Sequence, residues 1–216
     1  MKNEIQKYWN KRFKESKEIW GEEPSLGAQE VLKFLKTNNI VKATILDIGC
    51  GYGRDLNFFR KNGYKVRGIE ISEEAIKKAK EIYPGLTVDL GDVKNMYQYK
   101  TSMFDIVFGN FLLHLFDQLS VRKKILSECY RVLRPGGYLF HTVASIKDPD
   151  FGKGKKIGKN LFINERGVKK FFYTKEAILN EFGKFSVLDI KLIEEPHTHD
   201  SPHIHKSYLI IAQKIV

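Results

Sequence analysis

Cysteine is almost missing from this chain. Cys50 and Cys129 are its only two, and no CxxC pair is present. Two thiols make no disulfide framework, so a stapled secreted scaffold is excluded. Long apolar runs are also missing. No stretch approaches the length of a membrane span, and "MKNEIQKYWNKRF" lacks the apolar core of a signal peptide, so the expected location is the cytoplasm, with no membrane partner. There is no internal repeat and no low-complexity block. At 216 residues with 42% hydrophobic content, the chain is expected to form one domain with a proper core.

Acidic residues are outnumbered. The formal charge is +11, which raises nucleic acid as a partner because basic surfaces gather phosphates. Lysine greatly exceeds arginine, however, and it is spread along the chain as on an ordinary solvated surface. Nucleic acid is therefore the less favoured partner. The sequence carries no signal of oligomeric state.

Strand-like and helix-like segments alternate, which predicts an α/β protein with a parallel sheet and helices on its faces. The expected strands are 43–49, 65–71, 86–92, 104–110 and 138–144. Between them, "GRDLNFFRKNG" reads as a helix. A second helix follows Ser72, a capping residue with Glu73 and Glu74 in the first turn. A third runs from Ser120 and is broken by "RPGG" (134–137). A short helix follows Thr174. Residues 185–195 and 206–216 read as an antiparallel hairpin, because no crossover helix fits between them. The segment from 145 to about 170 has no clean period, and loops of that length are usually lids or disordered.

"LDIGCGYGRD" is the most informative stretch. Gly49, Gly51 and Gly53 lie between a strand and a helix, where they permit a tight turn and close approach of a ligand to the backbone. Glu70 follows about twenty residues later, the spacing at which a carboxylate accepts ribose hydroxyls. Asp92, in "GDV", can accept from an adenine amine. Asp47 precedes the first glycine. A dinucleotide fingerprint, GxGxxG, is absent: Arg54 stands where the third glycine belongs, and a pyrophosphate sits badly beside Asp47. S-adenosylmethionine (SAM), with a cationic sulfonium and an ammonium, suits these acids better.

These motifs resemble those of the class I, Rossmann-like SAM-dependent methyltransferases. "ILDIGCGYGRD" is similar to their glycine motif, "GIEIS" to their acidic second strand, "GDV" to their third, "FDIVFGN" to their fourth, and "VLRPGGYLF" to the turn into their fifth. The resemblance covers roughly residues 40 to 145. It implies a seven-stranded, mostly parallel sheet with a reversed last strand and helices on both faces. It also implies a single domain over 1–216, with an N-terminal helical cap (1–40) and a lid insert (145–172). Asp47, Gly49, Cys50, Gly51 and Gly53 are then expected at the methionine end of SAM. Glu70 and Ile71 belong at the ribose, Asp92 and Val93 at the adenine, and Asn110 and Phe111 at the centre. Tyr8, Trp9 and Trp20 are either part of the cap over the cofactor or core aromatics. Within the class, "YWNKRF", "IWGEEPS", "FGKGKKI" and the histidine-rich hairpin resemble the tellurite-resistance and thiol methyltransferases. That implies a small-molecule acceptor reacting at a thiol, chalcogen or other soft or anionic atom.

The [DN]PPY signature of enzymes that methylate nucleobase or glutamine nitrogen is missing; "GNFLLH" stands in its place. His114 in that stretch is a candidate to face the acceptor. "HTHDSPHIH" (197–205) holds four of the six histidines. If the strand before it runs parallel to the first five, the cluster lies at the same sheet edge as the glycine loop. Three readings stand: histidines, foremost His203 and His205, that bind the acceptor or take its proton; a divalent metal site; or a solvated turn. No metal is expected on balance, because the class needs none. The rivals to a small-molecule enzyme are an RNA- or protein-directed methyltransferase and a non-catalytic SAM-binding protein.

Overall fold

The computed structural model describes residues 4–15, 20–197 and 203–215. Seven strands form one sheet: β1 (Thr44–Ile48), β2 (Lys65–Glu70), β3 (Val88–Leu90), β4 (Phe104–Asn110), β5 (Leu133–Ala144), β9 (Phe185–His197) and β10 (His203–Lys214). Their spatial order is β3-β2-β1-β4-β5-β10-β9. The first five are parallel, and β10 is antiparallel to both β5 and β9. The expected sheet and its reversed last strand are thus observed.

Alternation along the strands builds two cores. Leu46, Ile48, Val107, Leu139 and Val143 pack on one face with Ile125 and Cys129 of α5 (Leu119–Val132), Ile178 of α6 (Lys175–Glu181) and Phe182, which caps it. Their neighbours Ile45, Ile106, Phe108 and Phe140 point the other way. They meet Ala28, Val31 and Leu35 of α2 (Leu26–Thr37) and Phe59 of α3 (Arg54–Lys61). Period-two side chains with both faces covered explain why these strands read as continuous apolar runs. The caps are local: Ser25, Ser72 and Thr174 accept the backbone N–H of Ala28, Ala75 and Ala177, starting α2, α4 (Glu73–Ile82) and α6.

Three expectations need correction. β5 begins at Leu133, because Leu133 pairs with Phe104 before an irregularity carries the strand through "RPGG". β3 is shorter than expected and ends at Leu90, so Asp92 lies two residues beyond it. The segment after β5 is neither a plain loop nor disordered. It folds as an antiparallel meander of β6 (Lys155–Gly158), β7 (Leu161–Ile163) and β8 (Lys169–Phe171). Phe162 and Phe172 form a satellite core with Ala144, and the exposed Phe151 packs edge to face on both rings; these aromatics are too irregularly spaced to show a period.

Before the sheet, α1 (Glu4–Glu15) lies against α4. Among the described residues no helix is long and apolar enough to cross a membrane.

Candidate functional site

The carboxyl ends of β1, β2 and β4 converge, as open α/β sheets require of a binding crevice. At the end of β1 the chain turns through Gly49, Gly51 and Gly53, with φ of 70°, 56° and 83°. These are left-handed values that glycine adopts without strain. Glu70 closes this turn from the next strand. Its Oε2 accepts Gly51 N–H at 2.9 Å, and its Oε1 accepts Ile71 and Ser72 N–H at 2.8 and 2.9 Å.

The acids here are crowded. Asp47 is 3% exposed, and its carboxyl is held well above the usual range, by burial first and then by the charges of Asp55 and Glu70; Arg54 opposes them. Burial also raises Glu70, against its three backbone donors. The Cys50 thiol is pushed far up by burial and by Asp47 and Glu70, so it stays protonated and is no nucleophile. Asp92 faces its own turn: one oxygen accepts Lys94 N–H at 3.0 Å and the other pairs with Lys94 Nζ at 3.0 Å. Val93 beside it is buried in the core under β2 and β4.

At the end of β4, Asn110 Oδ1 accepts a hydrogen bond from Thr142 Oγ1 on β5, and Phe111 N–H donates to the same hydroxyl at 2.9 Å. Phe111 has φ 50°, an uncommon conformation for a bulky residue, of the kind that gathers at functional sites. Its ring centroid lies 5.5 Å from that of His114 and 6.3 Å from that of His205.

The histidines divide sharply. His114 sits in a single 3₁₀ turn, 3% exposed, where its Nδ1 accepts Ala144 N–H at 3.4 Å. Burial, with Lys170 and the other histidines nearby, holds it well below its ordinary pKa, so it is neutral. His205 points its Nδ1 at Asp148 Oδ2, 2.9 Å away. The same oxygen accepts Lys206 N–H, and Asp148 Oδ1 accepts Asp150 N–H. Burial works to raise Asp148, but the bonds from His205 and Asp150 N–H outweigh it and hold the carboxyl below its usual range. His199 and the turn around Ser201–Pro202 lie outside the described residues, as do the side chains of His197 and His203. The backbone of His203 pairs with that of His197 at the start of β10.

β9 runs parallel to β5, because β10 is antiparallel to both. The described ends of β9 and β10, with the backbone of His197 and His203 and with His205, therefore lie at the same edge of the sheet as the glycine loop. Asp148, Asp150 and His205 bring three ligand-type atoms within 4.8 Å of one another. Lys153 and Lys170 already pair with Asp150 and supply its positive charge.

The N-terminal segment covers the loop. A side chain at Gly51 would meet Phe13 and Trp20 at 3.3 and 3.6 Å, and Trp20 stacks on Tyr52 at 6.2 Å. Gln6 donates to Ile71 O, and Ser72 Oγ to Asn10 Oδ1. Ser25 donates N–H and Oγ–H to Asp55, both at 2.7 Å.

Asp148, Thr142 and Glu195 were not found from sequence. Asp148 had a signal in "KDPD", which leaves β5 at the crevice edge. Thr142 and Glu195 sit inside strands, where spacing says nothing of their use.

Residues 46–141 match the family described as "Methyltransferase domain". A malonyl-[acyl-carrier protein] O-methyltransferase of Salmonella typhimurium is 30% identical over 172 residues, 73% of this chain and 67% of that protein. The chain belongs to the class I SAM-dependent methyltransferases. It spans about half the length of most of the curated relatives it matches first. Among solved structures of the methyltransferase fold, a Burkholderia thailandensis 1,6-didemethyltoxoflavin-N1-methyltransferase with bound S-adenosylhomocysteine superposes with a TM-score of 0.73. It is 18% identical, over 98% of this chain and 88% of that one. TehB of Haemophilus influenzae gives 0.63 at 15% identity, over 86% and 62%, which is a likeness of fold alone.

The donor set fits the methyltransferases' cofactor. Three buried acids, Asp47, Asp55 and Glu70, face one arginine, an imbalance that a cationic ligand corrects. A carboxylate has about four acceptor sites, and Glu70 uses three on backbone, leaving one for a hydroxyl.

Proposed function

We propose that this methyltransferase acts on a small-molecule acceptor whose reacting atom is a thiol or another soft, weakly acidic group, with His205 as the residue that takes the proton. The observation that carries this reading is the His205–Asp148 pair at the carboxyl edge, beside the strained Phe111.

When bound, SAM supplies a methyl carbon activated by positive sulfur. The rest falls to the chain. The glycine turn and Asp47 hold the methionine end, Glu70 and Ile71 the ribose, and Asp92 and Val93 the adenine. Asn110 and Phe111, fixed by Thr142, set the wall between cofactor and acceptor. Asp148 accepts from Nδ1 of His205 and so orients the imidazole that serves as base at the carboxyl edge. A base positioned in this way contributes about 10²–10⁴ in rate. His114, neutral and buried, positions the ring of Phe111. Phe13 and Trp20 of the N-terminal cap, with the β6–β8 meander as lid, exclude water.

A second reading has two observations in its favour. The meander is rich in exposed lysine, and the Salmonella relative is named for an acyl-carrier protein substrate. An acceptor borne on an acidic macromolecule would lose binding steeply as salt rises.

The test is release of S-adenosylhomocysteine from SAM across a panel of small thiols, oxyanions and amines. We expect turnover with thiols. His205→Ala should reduce it by about 100-fold or more while SAM affinity by calorimetry stays unchanged. SAM binding without turnover on any acceptor would favour a non-catalytic binder. Equal loss of rate and SAM affinity would remove His205 from its role.

A further inference from the structure

Glu195 occupies a position that none of the roles above uses. It lies near the carboxyl end of β9, directly across the ladder from His205. Residues paired in this way in an antiparallel ladder project from the same face. That face is the one covered by α2, since Glu195 Oε1 accepts the N–H of Leu26, the first residue of α2, at 3.1 Å. Asn110 and Thr142 look onto the same space: a side chain at Gly27 would meet Thr142 Cγ2 at 2.7 Å and Asn110 Oδ1 at 3.1 Å.

The other oxygen of Glu195 is different. Oε2 is buried and has no hydrogen-bond partner among the described residues. A buried acceptor left unmet is costly, and it marks a place where a donor belongs. The nearby cation is already committed. Arg54 donates through Nε to Asp55 at 3.2 Å and through Nη1 to Trp20 O at 2.7 Å. Burial holds the Glu195 carboxyl above its usual range and Asp55 adds to this, while the Leu26 bond, Arg54 and His205 oppose it. Two acids, Glu195 and Asp55, thus share the single arginine Arg54.

We propose that Glu195 is a specificity-determining residue, taking an ammonium or N–H group of the methyl acceptor on its buried Oε2 while His205 meets the reacting atom. The chemical class follows: a small molecule with an acidic X–H at one end and an amine at the other. The proposal rests on the methyl-transfer reading for the nature of the occupant, and its test is arranged to separate the two.

Three thiols of nearly equal size serve as probes: cysteamine, 2-mercaptoethanol and 3-mercaptopropionate. They differ in carrying an ammonium, a hydroxyl or a carboxylate. Each is titrated by NMR into the protein saturated with S-adenosylhomocysteine, for wild type and for Glu195→Gln. The glutamine keeps an oxygen for Leu26 N–H, so the start of α2 and the thermal midpoint should hold. In the wild type, cysteamine should bind at least about tenfold more tightly than 2-mercaptoethanol, and 3-mercaptopropionate most weakly. In Glu195→Gln, cysteamine and 2-mercaptoethanol should converge to within about twofold. Equal binding in the wild type, no binding of any probe, a preference for the carboxylate, or an amine preference that survives in Glu195→Gln would each overturn the proposal. Turnover with SAM in place of its product is read separately. Selective cysteamine binding without methylation leaves Glu195 in place and rejects the thiol reaction. Methylation without amine preference does the reverse.

Discussion

Glu70→Gln is the substitution whose cost follows most directly from geometry. Glu70 is 5% exposed, so water does not soften the change. Its two oxygens hold three backbone N–H groups from two segments: Gly51 on Oε2, and Ile71 with Ser72 on Oε1. Glutamine has one acceptor oxygen. The better orientation leaves that oxygen on Ile71 and Ser72 and turns the amide NH₂ toward Gly51 N–H, donor against donor. One bond to a charged acceptor is lost, worth about 1.5–3 kcal/mol, and the Gly51 N–H is left buried and unmet. Relief from burying a charge returns part of this. The net expectation is a loss of about 2 kcal/mol, read as a lower urea midpoint with unchanged slope. The other orientation loses two bonds and would cost more. SAM affinity should fall about tenfold, because the hydroxyl acceptor is weakened and the glycine turn loosens. Stability within about 0.5 kcal/mol of wild type, with unchanged SAM affinity, would refute the claim that Glu70 ties the turn to β2 and binds the cofactor.

Two further sets of outcomes follow from the buried acids. Asp47 and Glu70 both have folded pKa values above their ordinary ones, so the native state without ligand holds more protons than the unfolded chain across the window above the usual carboxylate value. Stability of the ligand-free protein should therefore fall as pH rises through that window, and be unaffected by these groups below it. SAM binding there should release protons, visible as calorimetric enthalpies that change with buffer. Asp148→Asn, at a site 3% exposed, sets an amide against three donors. It should cost about 1–3 kcal/mol of stability and slow methyl transfer about tenfold or more at unchanged SAM affinity. Equal transfer rates would dissociate Asp148 from His205.

The glycine turn and its tie to Glu70 were readable in the chain because they are local. Gly49, Gly51 and Gly53 answer to the backbone conformation of one turn, and Glu70 to the length of one β-α-β unit. Such constraints leave a residue type at a fixed spacing. Strand alternation was equally plain for β1, β2 and β4, whose apolar runs are buried on both faces. The β6–β8 meander was not legible, since its strands are three or four residues long and its aromatics meet only when folded.

What the linear order determined is the alternation of strands and helices, the terminal hairpin and the glycine turn with its acids, because each depends on near neighbours or on a period of two; the seven-stranded sheet with a reversed last strand was what the resemblance implied. What the tertiary structure alone decided is which groups meet across the edge. Asp148 reaches His205 over 57 positions, and Glu195 reaches the start of α2 over 169. A contact between distant segments leaves no spacing to read. It exists only once β10 has inserted between β5 and β9 and carried His205 to the crevice.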